Sequence, residues 1–335
     1  MLGRRVIERW CLLAHPNTKF DVVHFVLLGS VMESEFVAWL RQRVPPHPLV
    51  PLGIGDDAAQ IALSSGSCIV TSDMLMEGVD FRLRECEPRQ IGRKALAVNL
   101  SDLAAMAAKP VAAIISVAVP SRMPITFLKL MYEGLLDLGS EFDVALAGGD
   151  TNSWKHPLAI SVTAIGEPTG GGLVTRSGAQ VGDAILVTGE FGGSILGRHL
   201  EFRPRVAEAI YLHRQYEIHA AMDVSDGLSL DLSRLANQSG CGAIVNSLCV
   251  PISDDAHRLA AEENFAMSAL EHALRDGEDF ELILAVSQDT AERILADGSL
   301  GVRITRIGEF VSDLGLWQQS ESGDKQPLTP RGYEH

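Results

Sequence analysis

Carboxylates beside small residues are the feature of this chain with the clearest chemical meaning. In the stretch 53–61, read Gly-Ile-Gly-Asp-Asp-Ala-Ala-Gln-Ile, Asp56 and Asp57 are adjacent and precede an apolar alternation typical of a strand. Adjacent acids repel each other and resist the loss of water unless cations or hydrogen-bond donors neutralise them. Mg²⁺ takes such oxygen ligands, usually one or two carboxylates with substrate phosphates and water. The pair therefore predicts a metal site, provided that other acids converge on it.

Acids in similar settings recur along the chain. An acid lies beside Gly, Ser or Thr at the edge of an apolar segment at Asp73, Asp150, Asp223, Asp226 and in the stretch 276–279. Asp102 lies inside a mostly apolar predicted helix, on the same face as Asn99. Convergence on shared cations is the simplest account of so many charges close to apolar segments.

Each of these acids, taken alone, also has a plainer explanation. Asp73 and Asp150 could cap loops, and Asp223 and Asp226 could cap the helix that follows them. The stretch 276–279 could be a solvated turn. Arg176 is either an exposed loop residue or a guanidinium fork for phosphate. The joint pattern, more than any single residue, favours metal binding.

The elements that must position these residues alternate between strand and helix in both halves, which indicates a mixed α/β or α+β fold. Apolar patterns predict strands at 60–63, 68–71, 111–119, 144–147, 158–165, 184–188, 280–286 and 302–307. They predict helices at 33–43, 88–108, 126–140, 194–200, 205–220, 228–238 and 290–296. The glycine-rich stretch Thr169–Leu173 marks a domain boundary, and the tail 312–335 is predicted to be mostly polar loop.

Composition limits the partners of this chain. It has 335 residues, 46% of them hydrophobic, and a net charge of −15, which argues against nucleic acid or an anionic membrane as the main partner. The longest apolar runs are far shorter than the roughly 18 residues of a membrane span. Five cysteines without a Cys-x-x-Cys pair predict a reduced, cytoplasmic protein without a zinc site.

Familiar nucleotide-binding motifs do not account for the acids. The chain contains no Gly-x-x-x-x-Gly-Lys-Ser/Thr loop and no protein-kinase signature. The spacing Gly53-x-Gly55-x-x-Ala58 matches a dinucleotide fingerprint, but Asp56 and Asp57 would repel a pyrophosphate there, and a strand, not a helix, follows. If the chain uses ATP, it therefore binds it in another way.

Seven segments together resemble the thiamine-monophosphate kinase family. They occur in the family's order, cover about residues 33–335, and are GIGDDA (53–58), TSDMLMEGVDF (71–81), KALAVNLSDLAAMAAKP (94–110), GGDT (148–151), TRSG (175–178), DVSDGL (223–228) and GEDFEL (277–282). The combination is highly specific, whereas any single segment is not. The resemblance implies transfer of the γ-phosphoryl group of ATP to the phosphate of thiamine monophosphate, giving thiamine diphosphate.

The same resemblance implies a fold and a domain organisation. The fold is that of the aminoimidazole-ribonucleotide-synthetase-like superfamily, with an N-terminal α/β domain at residues 32–168 that binds ATP and metal. Its strands would join those of a second copy in a dimeric barrel, and residues 169–335 would form a C-terminal α/β domain. Residues 1–31 have no family counterpart, and we treat them as an extension that could be a start-site artefact.

The resemblance also assigns roles to individual residues. Several Mg²⁺ ions would be held by Asp57, Asp73, Asp102, Asp150, Asp223 and Asp226, assisted by Thr71 and Ser72. ATP would contact Gly149, Asp150, Arg176 and Ser225. The thiamine moiety would lie beside Asp80, Glu278 and Tyr333. Because a phosphate monoester is already an anionic nucleophile, this reaction needs alignment and charge neutralisation, not a general base.

Two departures from the family pattern keep other functions open. The family's Gly-Val-His-Phe reads Gly78-Val79-Asp80-Phe81 here, so a carboxylate replaces an imidazole, and Gly-Gly-Glu-Asp reads Asp-Gly-Glu-Asp at 276–279. A cationic thiazolium would tolerate an acid. The alternatives are a superfamily ATP-dependent synthetase that activates an amide or acyl oxygen, and a catalytically silent protein that binds nucleotide with Mg²⁺.

Overall fold

The computed structural model describes residues 35–54, 59–64, 66–262, 267–319 and 324–333. Asp57 and its neighbour Asp56 lie outside these ranges, as does the extension 1–31. Within the described ranges no helix is long and apolar enough to cross a bilayer. The fold class is confirmed as mixed α/β, with two separate sheets.

Eleven strands and nine α-helices are assigned within the described ranges. The strands are β1 (Ile69–Met76), β2 (Lys109–Pro120), β3 (Ala145–Trp154), β4 (Ala159–Glu167), β5 (Ala184–Thr188), β6 (Ala220–Asp223), β7 (Gly242–Asn246), β8 (Leu282–Val286), β9 (Ile304–Val311), β10 (Leu316–Gln319) and β11 (Lys325–Pro327). The helices are α1 (residues 35–43), α2 (Pro88–Ala105), α3 (Ile125–Glu141), α4 (Arg198–Glu201), α5 (Val206–Gln215), α6 (Leu228–Gln238), α7 (Asp254–Ala261), α8 (Ala269–Arg275) and α9 (Gln288–Ala296).

The first sheet has four strands in the order β1-β4-β2-β3. Strand β2 runs parallel to β3 and antiparallel to β4, which in turn pairs antiparallel with β1. Along β4, buried and half-buried residues alternate, as expected for a strand with one face on a core. Helices α2 and α3 supply that core on one face of the sheet.

The second sheet has seven strands in the order β11-β10-β7-β9-β5-β8-β6. Every residue of β5 and β8 is buried. Both strands are continuous apolar runs because they lie inside the sheet and are covered on both faces. Asp223 is the last residue of the edge strand β6, so its carboxylate lies at the end of a buried strand.

Helix α2 lies between the two sheets. It packs against β1, β4 and α3 of the first half and against α4, α5 and β6 of the second. Most of its surface is therefore buried, including the polar residues Lys94, Asn99 and Ser101. A Cβ at Gly92 would overlap the carbonyl oxygen of Met131, so this glycine allows α2 and α3 to approach closely.

Several predicted elements are confirmed and others are wrong. The strand at 184–188 and the helix at 228–238 are confirmed. At 60–63 only an isolated bridge between Leu52 and Gln60 forms. The helix predicted over 205–220 ends at Gln215, and its last predicted position, Ala220, begins β6. The tail contains β10, which pairs with β7, and β11, which pairs with β10. Local residue propensities do not predict these strands, because their stability comes from pairing with the sheet. Asp73 and Gly148–Thr151 lie inside strands, not at strand ends.

Candidate active site

Two clefts open beside α2, and most of the predicted site residues line them. The first has a volume of about 500 Å³, and its lining includes Asp73, Asp80, Ser225, Asp226, Glu278 and Tyr333. The second, of about 320 Å³, is lined by Thr71, Asp102 and Arg176 together with apolar residues. Strand β1 contributes to both clefts, so residues from the two halves of the sequence meet there.

Strand alternation decides which residues of β1 join the site. Thr71 and Asp73 lie on the same face of β1, and the Thr71 hydroxyl donates a hydrogen bond to Asp102 of α2. Ser72 lies on the opposite face, where its hydroxyl donates to the carbonyl oxygen of Val162 at 3.2 Å and lies 3.0 Å from Thr163 Oγ1. The structure therefore does not bring the Ser72 hydroxyl to the other predicted ligands.

The acids beside β1 and α2 disfavour each other's charge. Burial, followed by the negative charges of Asp102 and Asp80, raises the pKa of Asp73 to about 6. Burial also raises the pKa of Asp102, although the hydrogen bond from Thr71 and the positive charge of Arg176 act in the opposite direction. A cation placed among them would remove the repulsion.

Asp223 is the most constrained of these carboxylates. It is 2% exposed, and its Oδ2 accepts a hydrogen bond from Ser101 Oγ at 2.7 Å. Its Oδ1 is buried and has no hydrogen-bond partner in the described part of the chain. Burial, followed by the charge of Asp102, raises its pKa to about 8. A buried carboxylate oxygen without a donor is the environment that a hard cation satisfies, so these residues fit Mg²⁺.

The described residues do not form a complete metal cage. Across these ranges, no group of three or more His, Cys, Asp or Glu side chains is placed so that it could hold one ion. Mg²⁺ commonly takes only one or two carboxylates and completes its coordination with substrate phosphates and water. These carboxylates would need such further ligands to hold Mg²⁺, and the predicted ligand Asp57 lies outside the described ranges.

The loop after β6 is capped from within α6, so the capping explanation of Asp226 is wrong. The Asp231 carboxylate accepts hydrogen bonds from the backbone N–H groups of Asp226 and Gly227, at 2.9 and 3.1 Å. Within the described residues, the N-cap position of α6 is Gly227, which has no side chain to form a capping hydrogen bond. The Asp226 carboxylate instead accepts from Arg234. Ser225 and Asp226 are thereby held at the wall of the first cleft.

Asp150 is not brought to the other acids within one chain. It lies on β3, and strands β4 and β2 separate it from Asp73 on β1. Three strand spacings correspond to about 14 Å. The carboxylate is exposed and stands near the buried phenol of Tyr132, whose pKa is raised by burial and, less strongly, by the charge of Asp150. Gly149 has a packing role, since a Cβ there would overlap the carbonyl oxygen of Ile115.

The three predicted substrate residues come from separate parts of the chain. Asp80 closes the turn after β1, where its Oδ2 accepts from the backbone N–H of Met76 at 2.6 Å. Glu278 precedes β8 and adopts a left-handed backbone conformation with a φ of 62°. The backbone N–H of Tyr333 donates to the Asp226 carbonyl oxygen at 2.8 Å, which anchors the C-terminal segment at the same cleft.

The stretch 276–279 is not a solvated turn. Asp279 is 2% exposed and accepts hydrogen bonds from the backbone N–H of Gly192 at 3.0 Å and from Arg198 at 2.6 Å. Its neighbour Glu278 accepts from Lys94, a buried residue of α2 that sequence reasoning missed. The available signal was a lysine inside a segment otherwise typical of a buried helix.

Comparison with known proteins gives consistent matches along the chain. Residues 55–167 match the family model "AIR synthase related protein, N-terminal domain", and residues 183–316 match "AIR synthase related protein, C-terminal domain". A protein of Rhodopirellula baltica named thiamine-monophosphate kinase is 42% identical over 312 residues, which cover 91% of this chain and 97% of the relative.

Solved structures match over similar lengths. The crystal structure of thiamine-monophosphate kinase from Stenotrophomonas maltophilia K279a has a TM-score of 0.71 at 34% identity and covers 85% of this chain and 94% of its own. A structure described as AaThiL complexed with AMPPCP and TMP has a TM-score of 0.71 at 25% identity and covers 96% of this chain and 99% of its own.

Proposed function

The chain belongs to the thiamine-monophosphate kinase family, and we propose that it transfers the γ-phosphoryl group of ATP to the phosphate of thiamine monophosphate, giving thiamine diphosphate. The observation that carries the proposal is the meeting of Asp73, Asp102 and Asp223 around α2. These carboxylates come from both halves of the chain, and a buried oxygen of Asp223 has no donor among the described residues. Such a site suits two polyanionic substrates only when cations are bound.

We propose that Asp73, Asp102, Asp223 and Asp226 hold several Mg²⁺ ions, with Thr71 orienting Asp102. Asp57 and Asp150 complete the proposed ligand set. Bound Mg²⁺ would neutralise the phosphate oxygens of both substrates and align them. The hydrogen bond from Ser101 fixes the orientation of the Asp223 carboxylate, whose other oxygen has no donor in the part of the chain that the structure describes.

The two clefts suit the two substrates. Arg176 lies at the second cleft, where its guanidinium suits an ATP phosphate, and Ser225 lies at the wall of the first. The first cleft combines apolar residues such as Leu75 and Phe280 with the acids Asp80 and Glu278. An apolar, acidic cleft favours an aromatic cation, and thiamine carries a thiazolium. Tyr333 would lie beside the same ring system.

We propose that the active form is a homodimer. On the outer face of the first sheet, the described residues Leu49, Val50, Ala59 and Ile61 pack against the beginnings of β2 and β3. Further along, Val70, Met74, Met76 and Ile114 expose between 36% and 59% of their surfaces. An apolar sheet face of this kind is a candidate for burial against a second copy. A dimer would also offer a route for the distant Asp150 to reach a site.

We propose that the reaction takes place in the cytoplasm.

Product analysis tests the proposed reaction. The purified chain is incubated with ATP, Mg²⁺ and thiamine monophosphate, and the thiamine phosphates are separated by chromatography. We expect thiamine diphosphate that disappears when EDTA is added and falls strongly in an Asp73→Asn variant. ATP binding with intact thiamine monophosphate would contradict the proposal. Release of ADP only in the presence of an amide or acyl acceptor would favour the synthetase alternative.

A further inference from the structure

Lys94 is a buried cation that none of the roles above uses. Its side chain lies within α2 and is 0% exposed. A buried ammonium group requires partners, because its transfer out of water is strongly unfavourable without them. Lys94 Nζ donates to the carbonyl oxygen of Asp80 at 2.7 Å and to the Glu278 carboxylate. One group on the central helix therefore holds two of the three predicted substrate residues, Asp80 and Glu278.

The two partners of Lys94 line the same cleft. Asp80 belongs to the turn after β1 in the first half, and Glu278 belongs to the loop before β8 in the second half. Both residues line the first cleft, and both also line an adjoining chamber of about 490 Å³. Lys94 therefore links the two halves of the chain at this cleft and holds the Glu278 carboxylate in one direction.

The backbone at Glu278 supports a positioning role. Its φ of 62° is uncommon for a residue with a side chain, and its N–H donates to the Ser225 carbonyl oxygen at 2.6 Å. Strained backbone of this kind persists only where its surroundings hold it. The ion pair with Lys94 is one such constraint, and the contact with Ser225 ties it to the loop that carries Asp226.

We propose that Lys94 is a positioning residue that fixes the Glu278 carboxylate and the Asp80 turn for the thiamine end of the substrate. This inference rests on the proposed function. Because the ammonium group holds one oxygen of Glu278, the other oxygen can accept a hydrogen bond from the substrate. The hydrogen bonds of Lys94 go to Asp80 and Glu278, not to Arg176 or Ser225, so its loss should weaken recognition of the thiamine moiety and leave recognition of ATP intact.

The test compares Lys94→Met, Glu278→Gln and the double variant. We expect Lys94→Met to raise the KM for thiamine monophosphate about tenfold or more, with the KM for ATP changed less than about threefold. The effect of the double variant should be clearly smaller than the sum of the two single effects, because both substitutions act on the same Glu278 carboxylate. If Lys94→Met does not fold, the double variant removes both charges of the pair and keeps the comparison with Glu278→Gln.

Arg205→Met is the matched control. Arg205 is a half-buried cation that pairs with Glu281 at 2.5 Å and lines neither cleft. The Arg205→Met substitution should lower the Tm without changing the KM for thiamine monophosphate. An unchanged KM in folded Lys94→Met, or additive effects in the double variant, would overturn the inference.

Calorimetric binding of thiamine monophosphate separates this inference from the proposed reaction. If the wild type binds the ligand without turnover, the kinase proposal fails, and the Kd values of the variants still test Lys94. If Lys94→Met binds as tightly as the wild type, the positioning role is rejected. If the wild type neither binds nor phosphorylates the ligand, both proposals fail.

Discussion

At the scale of single residues, Asp223 shows how a site is prepared for a ligand. One of its carboxylate oxygens accepts from Ser101, and the other is buried without a donor in the described chain. Such a group is expensive to keep for stability alone, because an unsatisfied buried acceptor costs about 1–3 kcal/mol. Its retention beside Asp102 is explained if a bound cation completes its environment.

Asp223→Asn should therefore reduce kcat about 100-fold or more at saturating substrates, since the amide keeps the shape and loses the charge. It should also raise the Mg²⁺ concentration needed for half-maximal rate. Initial rates of thiamine diphosphate formation over a magnesium series measure both effects. A variant with wild-type rates at low Mg²⁺ would rule out Asp223 as a ligand.

Ser101→Ala is the control for this substitution. It removes the donor to Asp223 and retains the carboxylate. We expect it to lower stability by about 1 kcal/mol and to affect kcat much less than Asp223→Asn does. Urea unfolding and the same rate assay distinguish the two variants.

At the scale of elements, adjacent glycines in β3 have different roles. A Cβ at Gly149 would overlap the carbonyl oxygen of Ile115 in β2, whereas a Cβ at Gly148 would meet no atom of the described residues within 4 Å. The close approach of two strand backbones therefore explains Gly149 without reference to ATP. Its predicted contact with ATP remains a prediction.

Gly149→Ala should destabilise the protein by about 1–3 kcal/mol, because the backbone of β2 or β3 must shift to admit the methyl group. Gly148→Ala should change stability by less than about 0.5 kcal/mol. Urea unfolding curves measure the difference in stability between the two variants, provided that the slopes of the unfolding free energy against urea concentration are unchanged. Equal midpoints for the two variants would contradict the packing argument.

The loop between β6 and α6 depends on Asp231. Its carboxylate accepts from two backbone N–H groups and from Arg234 at 2.8 Å, and burial raises its pKa to about 6. Asp231→Ala should cost about 1–3 kcal/mol of stability, because these donors lose their acceptor. Asp231→Asn keeps an acceptor oxygen and should lose less. If both variants unfold at the wild-type urea midpoint, the loop is held by other contacts.

At the scale of the whole molecule, helix α2 unites the two halves. Its first face supports the four-stranded sheet, and its other contacts reach α4, α5 and β6. One buried cluster consequently includes apolar residues from both halves of the chain. The boundary predicted at residues 168 and 169 remains a prediction.

The exposed face of the first sheet predicts the oligomeric state. Ile114 on β2 is 36% exposed at the centre of this face, and Ile114→Glu should weaken a dimer by placing a charge in an apolar interface. Light scattering should show a fall from twice the chain mass of 36.1 kDa toward that mass. Leu314→Glu, at a 68% exposed position outside this sheet, is the control. A monomeric wild type would refute the proposed dimer.

The sequence by itself determined the alternating element pattern, the acids and the family. Apolar periodicity locates α2, α3 and α6 because their buried faces are local patterns. It failed at β6, β10 and β11, which are short strands whose stability comes from pairing with distant partners. The acids were recognisable from the sequence because a carboxylate next to an apolar segment is unusual, and its immediate neighbours in the chain are enough to show it.

Only the tertiary structure decided which of these side chains meet. Pairing of β1 turns Ser72 away from Asp73, and the order of the sheet separates Asp150 from the acids beside α2. Packing of α2 between the sheets brings Lys94 to Asp80 and Glu278, residues far apart in the chain. Strand register, sheet order and helix packing are set by long-range contacts, and no local pattern of residue types contains them.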